Sequence, residues 1–175
     1  MTAAAVWFPQ LRIPVGVDDS KKVHESKRDD IAYAIRQSAV VAVGHASVEE
    51  IEKHGILKAT HIAMSRAWIM LPAPRDALVI IDGNEKPSMI HADILCFKGA
   101  DATCPSVAAA SIIAKVDRDQ AMRVLAGDDD LYDWKKNKGY GVPAHMRALA
   151  MHGPSPHHRR GFAPVKAAIR KAIES

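Results

Sequence analysis

Residues 77–81, ALVII, constrain this chain more than any other segment: five apolar residues in a row, three of them β-branched, too short for a helix and ended by Asp82. Such a run predicts a strand buried on both faces, with Asp82, Gly83 and Asn84 at its carboxyl end. Three further short runs read as strands: 2–8 (TAAAVWF), stopped by Pro9, then about 39–45 (AVVAVGH) and 94–97 (ILCF). Segments of helical period separate them. Residues 26–37 carry Ile31, Ala34 and Ile35 on one face among charges. Ser47 and Glu50 form a capping-box pattern for a short helix ending near Gly55. Residues 56–71 are apolar at helical spacing and stop at Pro72 and Pro74, and Ser106 is placed to cap a long helix reaching residue 126. After a polar loop (KKNKGYG), Pro143 and Pro164 start two more helices. Strands alternating with helices predict an α/β layered fold, a mixed β-sheet flanked by helices with a helical C-terminal part. At 175 residues and 19.0 kDa, without internal repeats, one domain over 1–175 is expected.

In open α/β sheets, sites form beyond the carboxyl ends of strands, which makes Asp82 the leading candidate. An Asp there is also a routine turn former, able to bond its own backbone two residues on, and position alone leaves both readings open. Asp101, in the loop before the long helix, has the same ambiguity, since it could simply complement the helix N-terminus. Two carboxylates at one sheet edge repel each other, and a hard divalent cation, Mg²⁺ or Mn²⁺ rather than zinc, relieves that repulsion. Cys96 and Cys104 lack CxxC spacing and read as reduced thiols. His145, His152, His157 and His158 form no HExxH pair and are expected at the surface or facing phosphate. Asp117 and Asp119, two apart on a helix, read as solvated charges. No P-loop, GxGxxG or GxSxG motif is present, which argues against NTPase, dinucleotide-enzyme and serine-hydrolase classes.

Charge is distributed unevenly. Residues 1–133 hold 15 Lys/Arg and 19 Asp/Glu, whereas the region from about 134 holds nine Lys/Arg against the single carboxylate Glu174. A basic region of this kind suits phosphate, because each neutralised phosphate releases counterions whatever the base sequence. With no run of about 18 uncharged apolar residues and no basic leader, a cytoplasmic protein without membrane contact is expected, as a monomer.

The segments VDDSKKVHESKR (17–28), GILKATHIAMSRA (55–67), VIIDGN (79–84), FKGADATCPSVAAASIIAKVDRD (97–119), KGYGVPAH (138–145) and HHRRGFAPVK (157–166) occur in an order and spacing that resemble ribonuclease HII. The resemblance spans nearly the whole chain. It implies a ribonuclease H-like fold and endonucleolytic cleavage of RNA in RNA/DNA hybrids, including single ribonucleotides embedded in duplex DNA, by two-metal-ion phosphodiester hydrolysis. Of the family's four metal-binding carboxylates, those of its IDGN and KG-Asp segments fall on Asp82 and Asp101, with Ala100 as an extra spacer. The other two belong to an Asp-Glu-Ala-Gly-Arg-Gly motif on the first central strand, which the 175 residues do not contain. The chain is therefore expected to lack that strand, through a late start assignment, a true fragment or a pseudoenzyme. The resemblance also places Ser20, Lys21, Lys22 and Lys115 near the nucleic-acid backbone and Tyr140 against the sugar at the RNA/DNA junction. Val142 and Gly161 depart from the usual Thr and Ser.

Three readings follow. The leading one is a hybrid-cleaving endonuclease with half of its metal site in this chain, the activity of the chain itself being left open. The alternative is a non-catalytic nucleic-acid-binding pseudoenzyme. A third, a different metal-dependent phosphoesterase, requires Asp18 and Asp19 to converge with Asp82 and Asp101.

Overall fold

The structure is a computed structural model that describes residues 1–18, 23–74 and 76–174. Strand β1 (Thr2–Trp7) pairs antiparallel with β2 (Val40–His45), in a register that sets Thr2 opposite His45 and Trp7 opposite Val40. Because side chains alternate along a strand, this pair has two unlike faces. Ala4, Val6, Val41 and Val43 pack with Phe8, Ile35, Ile112 and Ile113, closing a core against α1 (Glu25–Ser38) and α3 (Pro105–Ala126). The opposite face is built of small residues, and Ala3 packs with Ala46 and with Ala59 and Ala63 of α2 (Val48–Met70). Small residues on both sides let strand and helix backbones approach closely.

The capping box begins α2: Glu50 N–H donates to Ser47 Oγ at 3.2 Å, and Ser47 N–H donates to the Glu50 carboxylate at 2.9 Å. At Gly55, with φ 78° and ψ 163°, the helix kinks. That conformation is open to glycine and strained for other residues, so the two expected helices join end to end across it.

Strand β3 (Val79–Asp82) pairs in parallel with β4 (Ile94–Phe97), which places Asp82 opposite Phe97. The prediction that the 77–81 run is buried on both faces is not met. Leu78 is 56% exposed, Val79 and Ile80 are half-buried, and only Ile81 is buried. The reason is a cavity of about 560 Å³ between β1 and β3. Residues 2–8 and 77–82 line it consecutively, whereas a strand face would contribute every second residue, so two strand edges look at each other across it. Thr60, Met64 and Trp68 of α2 and Ala110, Ser111 and Ala114 of α3 complete the walls. Among the described residues the sheets are thus two separate pairs, one antiparallel and one parallel.

The long helix begins two residues earlier than a cap at Ser106 implies. Cys104 is its N-cap and Pro105 occupies the first turn, while the Ser106 hydroxyl meets the Cys104 sulfur at 3.2 Å and caps nothing. Proline's fixed φ and missing N–H suit the first helical position and decide the boundary. Beyond it, α4 (Trp134–Asn137) is a single helical turn within the expected polar loop, followed by α5 (Pro143–His152) and α6 (Ala163–Glu174). Cys96 and Cys104 are free thiols. No helix among the described residues is long and apolar enough to cross a membrane.

Candidate functional site

Asp82 ends β3 and Asp101 lies in a 3-10 turn (Ala100–Ala102) just after β4. Parallel pairing brings the chain leaving β4 back over the end of β3. Gly99, in the left-handed region at φ 74°, reverses it there, and Gly99 N–H and Ala100 N–H donate to Asp82 Oδ1 at 2.8 and 3.3 Å. Asp82 therefore bonds backbone 17 and 18 residues away rather than forming the local turn its position also allowed. Its second oxygen, Oδ2, takes no part in these bonds. Asp101 is only 6% exposed, and both carboxylates line the cavity between the two sheets. Two hard oxygen donors on one cavity fit a divalent cation that keeps several waters, as Mg²⁺ does. Among the described residues no group of three or more His, Cys, Asp or Glu is close enough together to hold a metal. Asp18 does not line the cavity, so it does not join the other two, and Asp19 lies outside the described residues.

A second cavity, of about 900 Å³, adjoins the first, because Thr2, Ser111 and Ala114 line both. Its walls carry the expected Lys115 and Tyr140 together with Arg118, Lys138, His157 and Arg159. Ser20, Lys21 and Lys22 lie outside the described residues. Tyr140 is 56% exposed, and the Arg118 guanidinium lies 5.0 Å from its ring centroid. Arg118 Nη2 also donates to the Tyr140 hydroxyl at 3.3 Å, which lowers that hydroxyl's pKa from its ordinary value. The basic partners Arg118, Lys138 and Arg159 were not singled out from sequence. Arg118 and Lys138 stand within the matched segments, one turn from Lys115 and two residues from Tyr140, and only folding shows that they share a wall.

Two expectations about polar residues fail because side chains expected in solvent are buried. Asp119 is not a solvated charge but 6% exposed, its Oδ1 in an ion pair with Arg118 Nε at 2.7 Å, and Asp117 meets His45 Nε2 of β2 at 3.3 Å. His145 and His158 are not at the surface: they are 5% and 7% exposed, with their Nε2 atoms 3.0 Å apart. Burial, and after it the neighbouring His145, hold His158 at a pKa of about 4.

With this geometry in view, the family model described as Ribonuclease HII matches residues 1–165. The ribonuclease HII of Rhizorhabdus wittichii is 48% identical over 165 residues, covering 94% of this chain and 81% of its own length. A solved structure, the ribonuclease H2 of Pyrococcus horikoshii, superposes with a TM-score of 0.75 at 20% identity over the whole of both chains. Bst-RNase HIII in complex with Mn²⁺ superposes with a TM-score of 0.65 at 23% identity, over 91% of this chain and 59% of that one. At those identities the two structures speak for the ribonuclease H fold.

Proposed function

The chain belongs to the ribonuclease HII family, a type 2 ribonuclease H acting on RNA/DNA, and from that premise we propose that it cuts the RNA strand of hybrids and single ribonucleotides in duplex DNA with Asp82 and Asp101 as divalent-cation ligands. The observation that carries this reading is that the two cavities share Thr2, Ser111 and Ala114 as lining, with Asp82 and Asp101 in the wall of one and the cations and Tyr140 in the wall of the other. When bound, Mg²⁺ or Mn²⁺, two ions in the full form of the chemistry, would supply a hydroxide near neutral pH and stabilise the leaving oxygen. Asp82, clamped on one oxygen by the Gly99 and Ala100 amides, holds its carboxylate in a fixed place at the end of β3. Asp101 offers the second carboxylate from the turn. Lys115, Arg118 and Arg159 neutralise backbone phosphates, whereas Lys138 is already paired with Glu25 at 3.4 Å, and the resemblance puts Ser20, Lys21 and Lys22 near the nucleic-acid backbone. Tyr140 lays its ring on the sugar at the junction. Further oxygen ligands would enter through the cavity that both carboxylates line.

One observation favours a second reading, a nucleic-acid-binding protein without catalysis: among the described residues only two carboxylates meet at the metal cavity. Cleavage of a DNA duplex containing one ribonucleotide, with Mg²⁺ or Mn²⁺, separates the two. Cleavage by the chain that is lost in Asp82→Asn supports the nuclease. Salt-sensitive binding without cleavage, by a folded chain, supports the second reading.

A further inference from the structure

The loop that presents Tyr140 rests on a bed of buried polar groups. Asn137 Nδ2 donates to the Tyr132 carbonyl at 2.7 Å, its Oδ1 accepts from Gly139 N–H at 2.8 Å, and its backbone carbonyl accepts from Tyr140 N–H at 2.9 Å. The Tyr140 carbonyl accepts from Val142 N–H at 2.9 Å and faces His145 Nδ1, also at 2.9 Å. Lys138 and Gly139, with φ 52° and 81°, take the left-handed turn that makes these bonds geometrically possible. Asn137, Trp134 and Tyr132 are all buried, and the last two stack at 5.0 Å between ring centroids, with the Tyr132 ring 4.6 Å from that of His158.

Only one arrangement of protons satisfies the histidines. A carbonyl can only accept, so His145 must carry its proton on Nδ1 to bond Tyr140. Its Nε2 is then a bare acceptor, as the Trp134 indole N–H at 3.4 Å also requires. His158 Nε2, 3.0 Å away, must therefore be the donor to it. That leaves His158 Nδ1 to accept, and Ser155 N–H at 3.0 Å and the Ser155 hydroxyl at 2.9 Å both point to it. The chain of bonds runs in one direction, from Ser155 through His158 and His145 to the Tyr140 carbonyl. Adding a proton to either ring would set two donors against each other.

We propose that the buried His145–His158 pair is a positioning device for Tyr140, holding its backbone while Arg118 holds its ring, so that the aromatic face is ready for the nucleic-acid sugar before substrate arrives. The proposal rests on the reading that Tyr140 contacts the nucleic acid. A pre-ordered ring binds more tightly than a free one because less conformational freedom is lost on association. Neither histidine touches substrate in this account; both act through Tyr140.

Two measurements test it. Long-range ¹⁵N–¹H spectra of the folded chain at neutral pH report the tautomers without substrate. The expected result is a proton on Nδ1 of His145 and on Nε2 of His158; a proton on Nε2 of His145, or an imidazolium at either residue, overturns the relay. The second is a double-mutant cycle on binding of a ribonucleotide-containing duplex, followed by fluorescence anisotropy in EDTA so that cleavage does not intervene. Tyr140→Ala is expected to weaken binding about tenfold, the loss of one stacked aromatic contact. His145→Leu should weaken it several-fold, His145→Asn, whose amide can donate from near the Nδ1 position, should restore most of the loss, and His145→Leu should add nothing in the Tyr140→Ala background. If Tyr140→Ala weakens binding but folded His145→Leu does not, or if the two effects add, the positioning role is wrong while the reading of Tyr140 stands. Unchanged binding in Tyr140→Ala removes that reading and the positioning role with it. Where His145→Leu does not fold, His158→Leu, which removes the donor to His145, and the spectra of the unsubstituted chain decide by the same criteria.

Discussion

Replacing Gly44 by alanine tests the small-residue contact that seats β2 on α2. A methyl group built at Gly44 would lie 2.1 Å from Ala63 O, 2.6 Å from Ala67 N and 2.9 Å from Arg66 Cβ. The first two are backbone atoms four residues apart on α2, the acceptor and donor of one helical turn, so no rotamer change can clear them. The backbone at Gly44 is not in the left-handed region, and the effect is therefore steric rather than conformational. Restoring ordinary contact means moving strand and helix apart by about 1.5 Å, along a seam in which Ala59, Ala63 and Ala67 are buried. Overpacking of this kind costs about 1–3 kcal/mol, and two immovable backbone contacts put Gly44→Ala at about 3 kcal/mol. For a chain of this length that corresponds to a fall in Tm of about 6–12 °C. Urea unfolding followed by circular dichroism measures it. Gly161→Ala, where an added methyl meets nothing within 4 Å, serves as the control and should stay within about 0.5 kcal/mol. A loss below about 1 kcal/mol in Gly44→Ala, at unchanged m-value, would refute the packing argument. Retreat of β2 would also shift His45, which pairs with Asp117 and lines the second cavity, so weaker nucleic-acid binding should accompany the loss.

Acid should destabilise the fold through His158. Its pKa is about 4 in the folded chain against about 6.5 when unfolded, so the unfolded state binds more protons between those values; stability is complete above about pH 6.5 and falls as pH drops toward 4. The expected loss from pH 7.5 to pH 5 is about 2 kcal/mol, and equal urea midpoints at the two values would disprove the assignment. Ser47→Ala removes the hydroxyl half of the capping box and should cost about 1 kcal/mol in the same assay. Asp101→Asn should weaken Mn²⁺ binding, read by the paramagnetic signal of the free ion, while leaving duplex binding in EDTA unchanged. Lys115→Ala should lower the slope of log affinity against log salt by about 1, the release of one phosphate's counterions.

Local pattern determined much of this protein. The short apolar runs at 2–8 and about 39–45, the capping box at Ser47, the glycine break at Gly55 and the prolines at 143 and 164 each act within a few residues, and the corresponding elements appear where these signals place them. The position of Asp82 at a strand end was legible for the same reason. What Asp82 bonds to was not, because the amides of Gly99 and Ala100 reach it only once β3 and β4 lie parallel. Nor were the exposure of β3, the Asp119–Arg118 ion pair or the burial of His145 and His158. Whether a polar side chain faces water depends on which distant element covers it, and a composition rule that sends histidine and aspartate to the surface has no access to that. Trp134 and Tyr132, packed over His145 and His158, turn two histidines expected at the surface into part of one buried hydrogen-bonded assembly. Hydrophobic period is written along the chain and survives without its neighbours; burial by a distant segment, and hydrogen bonds that span segments such as those of Asp82 and of the His145–His158 pair, exist only after folding, and tertiary structure alone decides them.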